Sequence, residues 1–293
     1  MLAGALAGMA KVGRVMADPM TVLVTGAASG LGAAMARGVA ANGCNVVLVD
    51  VSSEALRDMD DDLRRQGRVG VMAVTADISA PDDVARVQQL AMRQFGRMDV
   101  LVNNAGLGQG AIKRDFLESP PRTWEITVAA WRRMIDVNVI GGFLMARAFI
   151  PAMLANRFGR VVNVTTNFDS MLRFGFAPYG GSKAAIEAHT SILAKELAGT
   201  GVTANVLIPG GPADTQMVPI VAGVDRTAFV QPEAMVAPLL WLCGPDADEF
   251  NGRRIVAGRW SPNRDWRENC AIAATEAAWP QLAGTDRVTA MAT

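Results

Sequence analysis

The stretch "TVLVTGAASGLG", residues 21–32, joins an apolar run to a glycine-rich loop and the start of a helical pattern. The loop holds Gly26, Gly30 and Gly32, which let a backbone turn tightly and approach a ligand closely. A helix that begins at such a loop presents free N–H groups and the positive end of its dipole to a phosphate. The stretch therefore predicts a strand, a turn and a helix that bind a pyrophosphate, although glycine loops also serve as plain turns.

The same order of strand and helix continues along the chain. Seven short runs are apolar almost throughout, which is typical of strands buried on both faces. They cover residues 21–25, 45–50, 69–77, 99–104, 160–166, 202–209 and 253–258. Helical patterns lie between them, near residues 30–42, 53–66, 80–95, 131–156, 178–200 and 232–243. This alternation predicts an α/β protein, a doubly wound parallel sheet of about seven strands with helices on both faces, the Rossmann fold.

No repeat, low-complexity tract or linker divides the sequence. We therefore expect a single Rossmann-type dinucleotide-binding and catalytic domain over residues 20–258. Residues 1–19 are expected to form an N-terminal extension, and residues 259–293 a less regular C-terminal tail that contacts a partner or acts as a lid. Ser79, three residues before Asp82, is interpreted as the cap of the third helix.

The composition argues against several classes of function. The 293 residues include 28 basic and 28 acidic side chains, which gives no electrostatic reason to expect nucleic acid or an anionic membrane as a partner. No apolar run reaches the roughly 18 residues of a membrane-spanning helix. Three widely spaced cysteines and one histidine form no metal-ligand pattern, so we expect no metal and a reduced, cytoplasmic setting.

Asp50 ends the second predicted strand, 20 residues after Gly30. A carboxylate at this place accepts hydrogen bonds from an adenosine ribose and repels a 2′-phosphate. No lysine or arginine lies in the glycine loop or directly after Asp50 to attract such a phosphate. We therefore expect NAD as the cofactor and disfavour NADP, while a cap for the next helix stays open as an alternative role of Asp50.

Tyr179, the one tyrosine of the chain, and Lys183 form a second chemical feature. They are four residues apart after Pro178, so they share one face of a predicted helix. A phenol is a poor base at neutral pH, and a neighbouring ammonium favours its ionised form. The pair thus meets the requirement for proton transfer between a hydroxyl and a carbonyl oxygen, although an ordinary exposed helix pair has the same spacing.

Together these motifs resemble the short-chain dehydrogenase/reductase family over about residues 21–258. The resemblance rests on "TGAASGLG" at 25–32, Asp50, "DI" at 77–78, "NNAG" at 103–106, Asn138, "YGGSK" at 179–183 and "PG" at 209–210. It implies that the cofactor contacts Gly26, Ser29, Gly30, Leu31, Gly32, Asp50, Asp77, Ile78, Asn104, Ala105, Gly106, Tyr179, Lys183, Pro209, Gly210 and Thr215.

The resemblance also implies catalytic roles. Tyr179 would be the acid and base, and Lys183 would tune it and hold the nicotinamide ribose. Asn138 would sit at a helix irregularity and anchor a water in a proton relay to the lysine, with a structural kink as the plain alternative. His189 lies ten residues after Tyr179 and is expected at a packing or subunit surface, about 15 Å along the helix axis.

This sequence departs from the family pattern at two threonines. Thr166 stands where the family usually has a serine, and its hydroxyl would polarise a substrate carbonyl in a more restricted direction. Thr165 should point to the opposite face of the strand, and Asn167 and Ser170 are possible substitutes for Thr166. Thr215 comes one residue later than the family's threonine, in "PGGPADT" at 209–215.

The expected function is hydride transfer between NAD and a secondary alcohol or ketone. Loops at 107–115, 167–177 and 214–230 would shape the substrate pocket. Large apolar residues in them suggest an apolar or ring-containing substrate: Phe168, Phe174, Phe176, Met217 and Phe229.

Two alternatives stay open. One is a 3-oxoacyl-thioester (acyl carrier protein) reductase; such enzymes commonly use NADPH, so Asp50 counts against it. The other is an NAD-binding sensor or scaffold that has lost turnover. The resemblance further implies a homodimer or homotetramer formed through the helices at 131–156 and 178–200.

Overall fold

The computed structural model describes residues 19–67, 70–219 and 225–282. Within these residues, eight strands form one sheet. They are β1 (Thr21–Thr25), β2 (Asn45–Asp50), β3 (Val71–Thr75), β4 (Val100–Asn103), β5 (Gly159–Val164), β6 (Val202–Ile208), β7 (Arg253–Val256) and β8 (Ala274–Glu276). Their order is β3-β2-β1-β4-β5-β6-β7-β8. The first seven are parallel to their neighbours, and β8 is antiparallel to β7.

Helices cover both faces of this sheet. They are α1 (Gly30–Ala41), α2 (Ser53–Arg65), α3 (Pro81–Phe95), α4 (Val128–Ile135), α5 (Gly141–Ala155), α6 (Phe168–Met171), α7 (Tyr179–Glu196), α8 (Val236–Cys243) and α9 (Trp266–Ala273). Apolar side chains of α1, α2 and α8 pack on one face, and those of α3, α5 and α7 on the other. The predicted doubly wound fold is therefore confirmed.

The two cores explain why the strands are apolar at nearly every position. In β1, Val22 and Val24 belong to the core beneath α1, while Leu23 between them belongs to the opposite core. All three side chains are completely buried. Each such burial contributes about 1.5–3 kcal/mol, so a polar residue at any of these positions would be costly. This is why the predicted strands agree with the observed ones, to the residue for β1 and β2.

The C-terminal part of the chain is more regular than the sequence suggested. Helix α9 and strand β8 both lie beyond residue 258, and β8 extends the sheet at its β7 edge. Ala273 and Ala277 are buried there. The strand has three residues, which is too short to show an alternating pattern, so about seven strands were predicted where the structure has eight. The predicted extension at 1–19 lies almost wholly outside the described residues.

The interpretation of Ser79 as the cap of the third helix is wrong. Helix α3 begins with Pro81, and Ala80 is its N-cap. The Ser79 hydroxyl instead donates to Asp77 Oδ1 at 2.6 Å, and the Asp83 carboxylate accepts the N–H of Asp77 at 2.8 Å. The residues that stabilise this turn are thus Asp77 and Asp83.

The helix predicted at 131–156 begins earlier and is interrupted. Thr127 caps α4, accepting the N–H of Ala130 at 3.2 Å, and a π-helical turn over Asp136–Ile140 separates α4 from α5. Among the described residues, the run Val128–Ala155 is the one helix long and apolar enough to cross a membrane by length and composition alone. Its residues Met145 and Phe149 are fully buried against the sheet, as in a core helix.

Strand β1 lies between β2 and β4, so the chain leaves it toward β2 and later returns on its other side. At such a switch point, adjacent connections run in opposite directions and leave a crevice at the carboxyl ends of the strands. The predicted site residues follow these strand ends.

Candidate active site

The glycine loop after β1 is closely folded. Gly26 has a φ of +65°, which favours glycine, and a Cβ on Gly32 would collide with the carbonyl oxygen of Gly26. The first turn of α1 therefore packs directly on the loop. Its free N–H groups face the crevice, where an anionic group binds favourably.

A hydrogen-bond cluster joins the ends of β1 and β4. The hydroxyl of Thr25 accepts the N–H groups of Asn104 and Ala105, both at 3.0 Å, and the Asn104 side chain donates to the Thr25 carbonyl at 2.9 Å. Thr25 is completely buried. Sequence reasoning missed it because a threonine at the end of an apolar strand also fits strand propensity alone.

A cavity of about 650 Å³ occupies the crevice. It is lined by most of the predicted site residues: Gly26, Ser29, Gly30, Leu31, Asp50, Asp77, Ile78, Asn104, Ala105, Gly106, Thr166, Tyr179, Lys183, Pro209 and Thr215. Three predicted residues do not line it, namely Gly32, Gly210 and Asn138. Gly32 packs beneath Gly26, and Gly210, with a φ of +97°, packs against Val256.

Asp50 lies at the β2 end of the cavity. Its two carboxylate oxygens each accept one main-chain N–H, from Ala28 and from Ser52, both at 3.0 Å. A carboxylate has about four acceptor sites, so this arrangement leaves capacity for further donors. Asp50 therefore both caps the turn before α2 and offers acceptors to a ligand. The two roles considered for Asp50, an acceptor for the ribose and a cap for the next helix, therefore each match part of this geometry.

The Asp77 carboxylate, unlike that of Asp50, is occupied mainly by neighbouring side chains. It accepts the N–H and the hydroxyl of Ser79 and pairs with Arg133 at 3.1 Å. Partial burial acts to raise the pKa of Asp77, but the hydrogen bonds from Ser79 and the charge of Arg133 outweigh it and lower the pKa. Thr215 lies beside Gly30 at the glycine loop.

Tyr179 begins α7, and Lys183 follows one turn later at the same cavity. Lys183 is buried, and its ammonium donates to the Val164 carbonyl at 2.9 Å. Burial lowers the pKa of Lys183 from 10.5 to about 8. Burial also raises the pKa of Tyr179, while a hydrogen bond with the Thr166 side chain acts in the opposite direction. Burial thus opposes ionisation of the phenol, and Tyr179 is protonated at neutral pH.

The two threonines after β5 both line the cavity, but their hydroxyls have different partners. Thr166 forms a hydrogen bond with Tyr179, whereas the Thr165 hydroxyl donates to Glu187 at 2.8 Å. Asn167 and Ser170 also line the cavity. Among these side chains, Thr166 is the one that acts on the pKa of Tyr179.

Asn138 lies in the π-helical turn, so the irregularity inferred for it is present. Its amide oxygen accepts the N–H of Leu107 at 2.7 Å, and its amide nitrogen donates to the Leu107 carbonyl at 3.0 Å and to the Ser182 hydroxyl at 2.9 Å. A small separate cavity of about 20 Å³ is lined by Asn138, Lys183 and Asn103, among others. That volume is enough for about one water molecule.

Of the predicted pocket residues, Phe176, Met217 and Phe229 line the main cavity. Phe168 and Phe174 do not. Phe168 packs against Trp279 with ring centroids 5.9 Å apart, and Phe174 is exposed beneath the Arg122 guanidinium.

Several lining residues were missed by the sequence analysis: Gln109, Phe116, Leu117, Arg133 and Arg173. The Gln109 side chain donates to the carbonyls of Gly175 and Ala177, at 2.8 and 3.1 Å, and so holds the loop before Tyr179. The only available signal for it was its place in the loop at 107–115. His189 lies near Phe143 at 6.5 Å between ring centroids and does not line the main cavity.

A doubly wound sheet, a glycine loop at the switch point, and a buried tyrosine and lysine beside the same cavity define the class of nucleotide-dependent oxidoreductases. The sequence model described as "short chain dehydrogenase" matches residues 20–222. The chain belongs to this family, and it is a nicotinamide-dependent oxidoreductase acting on CH–OH or keto groups.

Individual relatives agree with this assignment. The 3-oxoacyl-[acyl-carrier-protein] reductase of Synechocystis is 34% identical over 78% of this chain and 90% of its own. The cis-4-hydroxycyclohexanecarboxylate dehydrogenase of Sinomonas cyclohexanicum is 35% identical over 73% of this chain and 79% of its own. The crystal structure of the Brucella melitensis 3-ketoacyl-(acyl-carrier-protein) reductase with NADH has a TM-score of 0.69, with 26% identity over 80% of this chain and 95% of that one.

The pKa of Lys183 predicts how stability depends on pH. The folded-state pKa of about 8 lies below the ordinary 10.5, so the folded protein pays for the buried charge below about pH 8 and is relieved as pH rises toward 10.5. We expect wild type to gain about 2 kcal/mol in unfolding free energy relative to Lys183→Met between about pH 7 and pH 9.5. Urea unfolding of both proteins at these pH values measures this gain, and a constant difference would contradict it.

Proposed function

We propose that this protein is an NAD-dependent dehydrogenase that interconverts a secondary alcohol and its ketone. The observation that carries the proposal is the convergence of Tyr179, Lys183 and Thr166 on the cavity whose other end holds Asp50. The fit to a dinucleotide is supported by the close glycine loop and by the acceptor capacity of Asp50. The cytoplasmic setting and the domain limits at 20–258 remain part of this proposal.

In the proposed mechanism, the residues of this chain handle the proton. When bound, the cofactor would accept the hydride as NAD+ during oxidation and supply it as NADH during reduction. Tyr179, held protonated by burial, donates its phenolic proton to the carbonyl oxygen during reduction. During oxidation the phenol first gives up its proton, and the phenolate then accepts the proton of the alcohol. Thr166 orients the same oxygen with its hydroxyl. Lys183 stabilises the phenolate left by proton transfer, because an ammonium one turn away favours the ionised phenol.

We further propose that Lys183 exchanges the proton with solvent through a water in the small cavity that Lys183 and Asn138 line. The Asn103 amide oxygen, which is buried and has no hydrogen-bond partner among the described residues, supplies an acceptor in that cavity. The Asn138 side chain is held by Leu107 and Ser182. In this proposal it shapes the water site from one side.

The substrate portion of the cavity is mainly apolar, with the rings of Phe116, Phe176 and Phe229 and with Met217 in its wall. Arg173 adds a positive charge there. Its guanidinium stacks on the Phe176 ring at 4.9 Å, and it forms no ion pair within the described part of the chain. A ring-containing alcohol that carries a carboxylate would match both features, as in the name of the Sinomonas relative.

Reduction of a 3-oxoacyl thioester is the second candidate, because relatives from Synechocystis and Brucella are named for that reaction. The two functions separate in one assay series that follows NADH absorbance. Cyclic hydroxy acids, neutral cyclic alcohols and aliphatic alcohols are tested with NAD, and a 3-oxoacyl thioester with NADH and NADPH. Tight NAD binding without turnover on any of these would favour a sensor.

A homo-oligomer is also proposed. Helices α4, α5 and α7 and the π-helical turn carry exposed large apolar side chains: Val128, Trp131, Ile140, Phe143, Leu154 and Ile192. Exposed apolar patches of this kind mark association surfaces. Size-exclusion chromatography with light scattering gives the number of subunits.

Tyr179→Phe tests the acid and base. The phenyl ring retains the packing against Phe176, whose ring centroid is 6.2 Å away, but the transferable proton is lost. We expect kcat to fall about 100- to 10,000-fold, with NADH binding unchanged by fluorescence titration. Full turnover of the variant on a substrate of the wild type would show that another group moves the proton.

Two substitutions test Thr166. Thr166→Ser keeps the hydroxyl and should retain or raise kcat, whereas the nearly isosteric Thr166→Val should lower kcat about 100-fold. NADH binding serves as the control, since neither change alters the cofactor end of the cavity. If Thr166→Val kept wild-type turnover, the polarising group would be sought at Ser170.

Asp50→Asn tests the cofactor preference. Loss of the negative charge removes the repulsion of a 2′-phosphate, so we expect the ratio of kcat/KM for NADP to that for NAD to rise about tenfold or more. Asp77→Asn is the matched control. It also removes a carboxylate, just after the neighbouring strand β3, but this carboxylate already pairs with Arg133. An unchanged ratio in Asp50→Asn, or an equal change in both variants, would contradict the role of Asp50.

A further inference from the structure

A buried ion pair lies directly behind the site. Arg254 of β7 and Glu187 of α7 are 2.8 Å apart, with side chains that are 4% and 0% exposed. Burying two charges is costly unless further hydrogen bonds satisfy them. The other contacts of this pair show which parts of the site it holds.

Both members of the pair bind the segment that carries Thr166. The second guanidinium nitrogen of Arg254 donates to the Thr166 carbonyl at 2.8 Å, and the guanidinium stacks on the Phe168 ring at 4.1 Å. Glu187 accepts the Thr165 hydroxyl at 2.8 Å. The guanidinium of Arg254 therefore contacts α7 through Glu187, and it also contacts the Thr166 carbonyl and the Phe168 ring.

The C-terminal segment closes the same cluster. The N–H of Ala278, which follows β8, donates to the other carboxylate oxygen of Glu187 at 3.3 Å. The adjacent Trp279 ring packs against Phe168, with ring centroids 5.9 Å apart. This packing contributes to the exclusion of water from the ion pair.

Thr166 needs such support because it lies beyond the sheet. The pairing of β5 with β6 ends at Val164, so no strand ladder holds the carbonyl of Thr166. The direction of a threonine hydroxyl follows from its backbone, since the branched side chain has few rotamers. Whatever holds the Thr166 carbonyl thus also directs its hydroxyl.

We propose that Arg254 is a positioning residue that directs the Thr166 hydroxyl toward Tyr179, with Glu187 as the anchor of the guanidinium. The inference rests on the proposed function for the role of Thr166. Arginine suits this task because its planar fork reaches two acceptors at fixed angles, which a lysine ammonium does not reproduce. A merely structural ion pair would affect stability and leave the contact between Thr166 and Tyr179 unchanged.

The single tyrosine allows a direct test that does not require turnover. Protein grown with meta-fluorotyrosine carries one label, at Tyr179, and its fluorine NMR shift is followed through the phenol titration. The fluorine also lowers the phenol pKa, so the titration takes place at a lower and milder pH. Loss of the Thr166 hydrogen bond in Thr166→Val should raise the pKa by about half a unit to one unit.

Arg254→Lys should raise the phenol pKa in the same direction as Thr166→Val. The double variant Arg254→Lys/Thr166→Val should titrate no higher than Thr166→Val alone, because both changes remove the same contact. Lys183, one turn away, is the same in every variant. The proposal would be overturned if the phenol of folded Arg254→Lys titrated at the wild-type pKa. It would also be overturned if the two pKa shifts were additive in the double variant.

Two further proteins keep the test decisive. If Arg254→Lys does not fold, the neutral pair Arg254→Met/Glu187→Gln leaves no buried charge and should show the same shift. Arg160→Lys is the control: Arg160 is equally buried and pairs with Asp248, but it lies at the amino-terminal end of β5, whereas Thr166 follows the carboxyl end of that strand. It should titrate as wild type. Absence of turnover in the substrate assays would refute the proposed function without altering these titrations.

Discussion

The hydroxyl of Thr25 joins the two strand ends between which the crevice opens. It accepts two consecutive main-chain N–H groups of the turn after β4, and the side chain of Asn104 returns a hydrogen bond to β1. The contact is possible because Gly26 and Gly32 have no side chains to separate the glycine loop from this turn. If the two strand ends were further apart, α1 would no longer direct its first N–H groups into the crevice. The two ends of the cavity, one at Asp50 and the other at Tyr179, both depend on this close approach.

The sequence predicted the parallel part of the sheet well because burial on both faces leaves an apolar run that needs no alternation. It failed where structure depends on distant partners. Strand β8 is short and gains its stability from pairing with β7, and Ser79 binds Asp77 instead of capping α3. Phe168 resembled a pocket residue, yet the guanidinium of Arg254 and the ring of Trp279 hold it behind the site. None of these outcomes could be read from local pattern.

The pKa values of Tyr179 and Lys183 show the same limit of prediction from sequence. The spacing of Tyr179 and Lys183 correctly predicted that they share a site, but spacing carries no information on burial. Burial lowers the pKa of Lys183 to about 8 and raises that of Tyr179. The phenol is therefore protonated at neutral pH, and the Thr166 hydrogen bond partly offsets the effect of burial. Which charge state a motif residue adopts depends on the cavity around it, so the motif identifies the residues without assigning their pKa.

The replacement of serine by threonine now has a structural context. A β-branched side chain restricts the direction of its hydroxyl, so a threonine at this place requires a backbone held at the correct angle. The contacts that hold it come from β7, from the middle of α7 and from the segment after β8, none of which belongs to the motifs that carry the family resemblance. In the arrangement that we propose, a stiffer residue can take the place of the usual serine because distant residues fix its backbone. On this argument, Thr166 and its supporting ion pair form one unit, and neither is interpretable without the other.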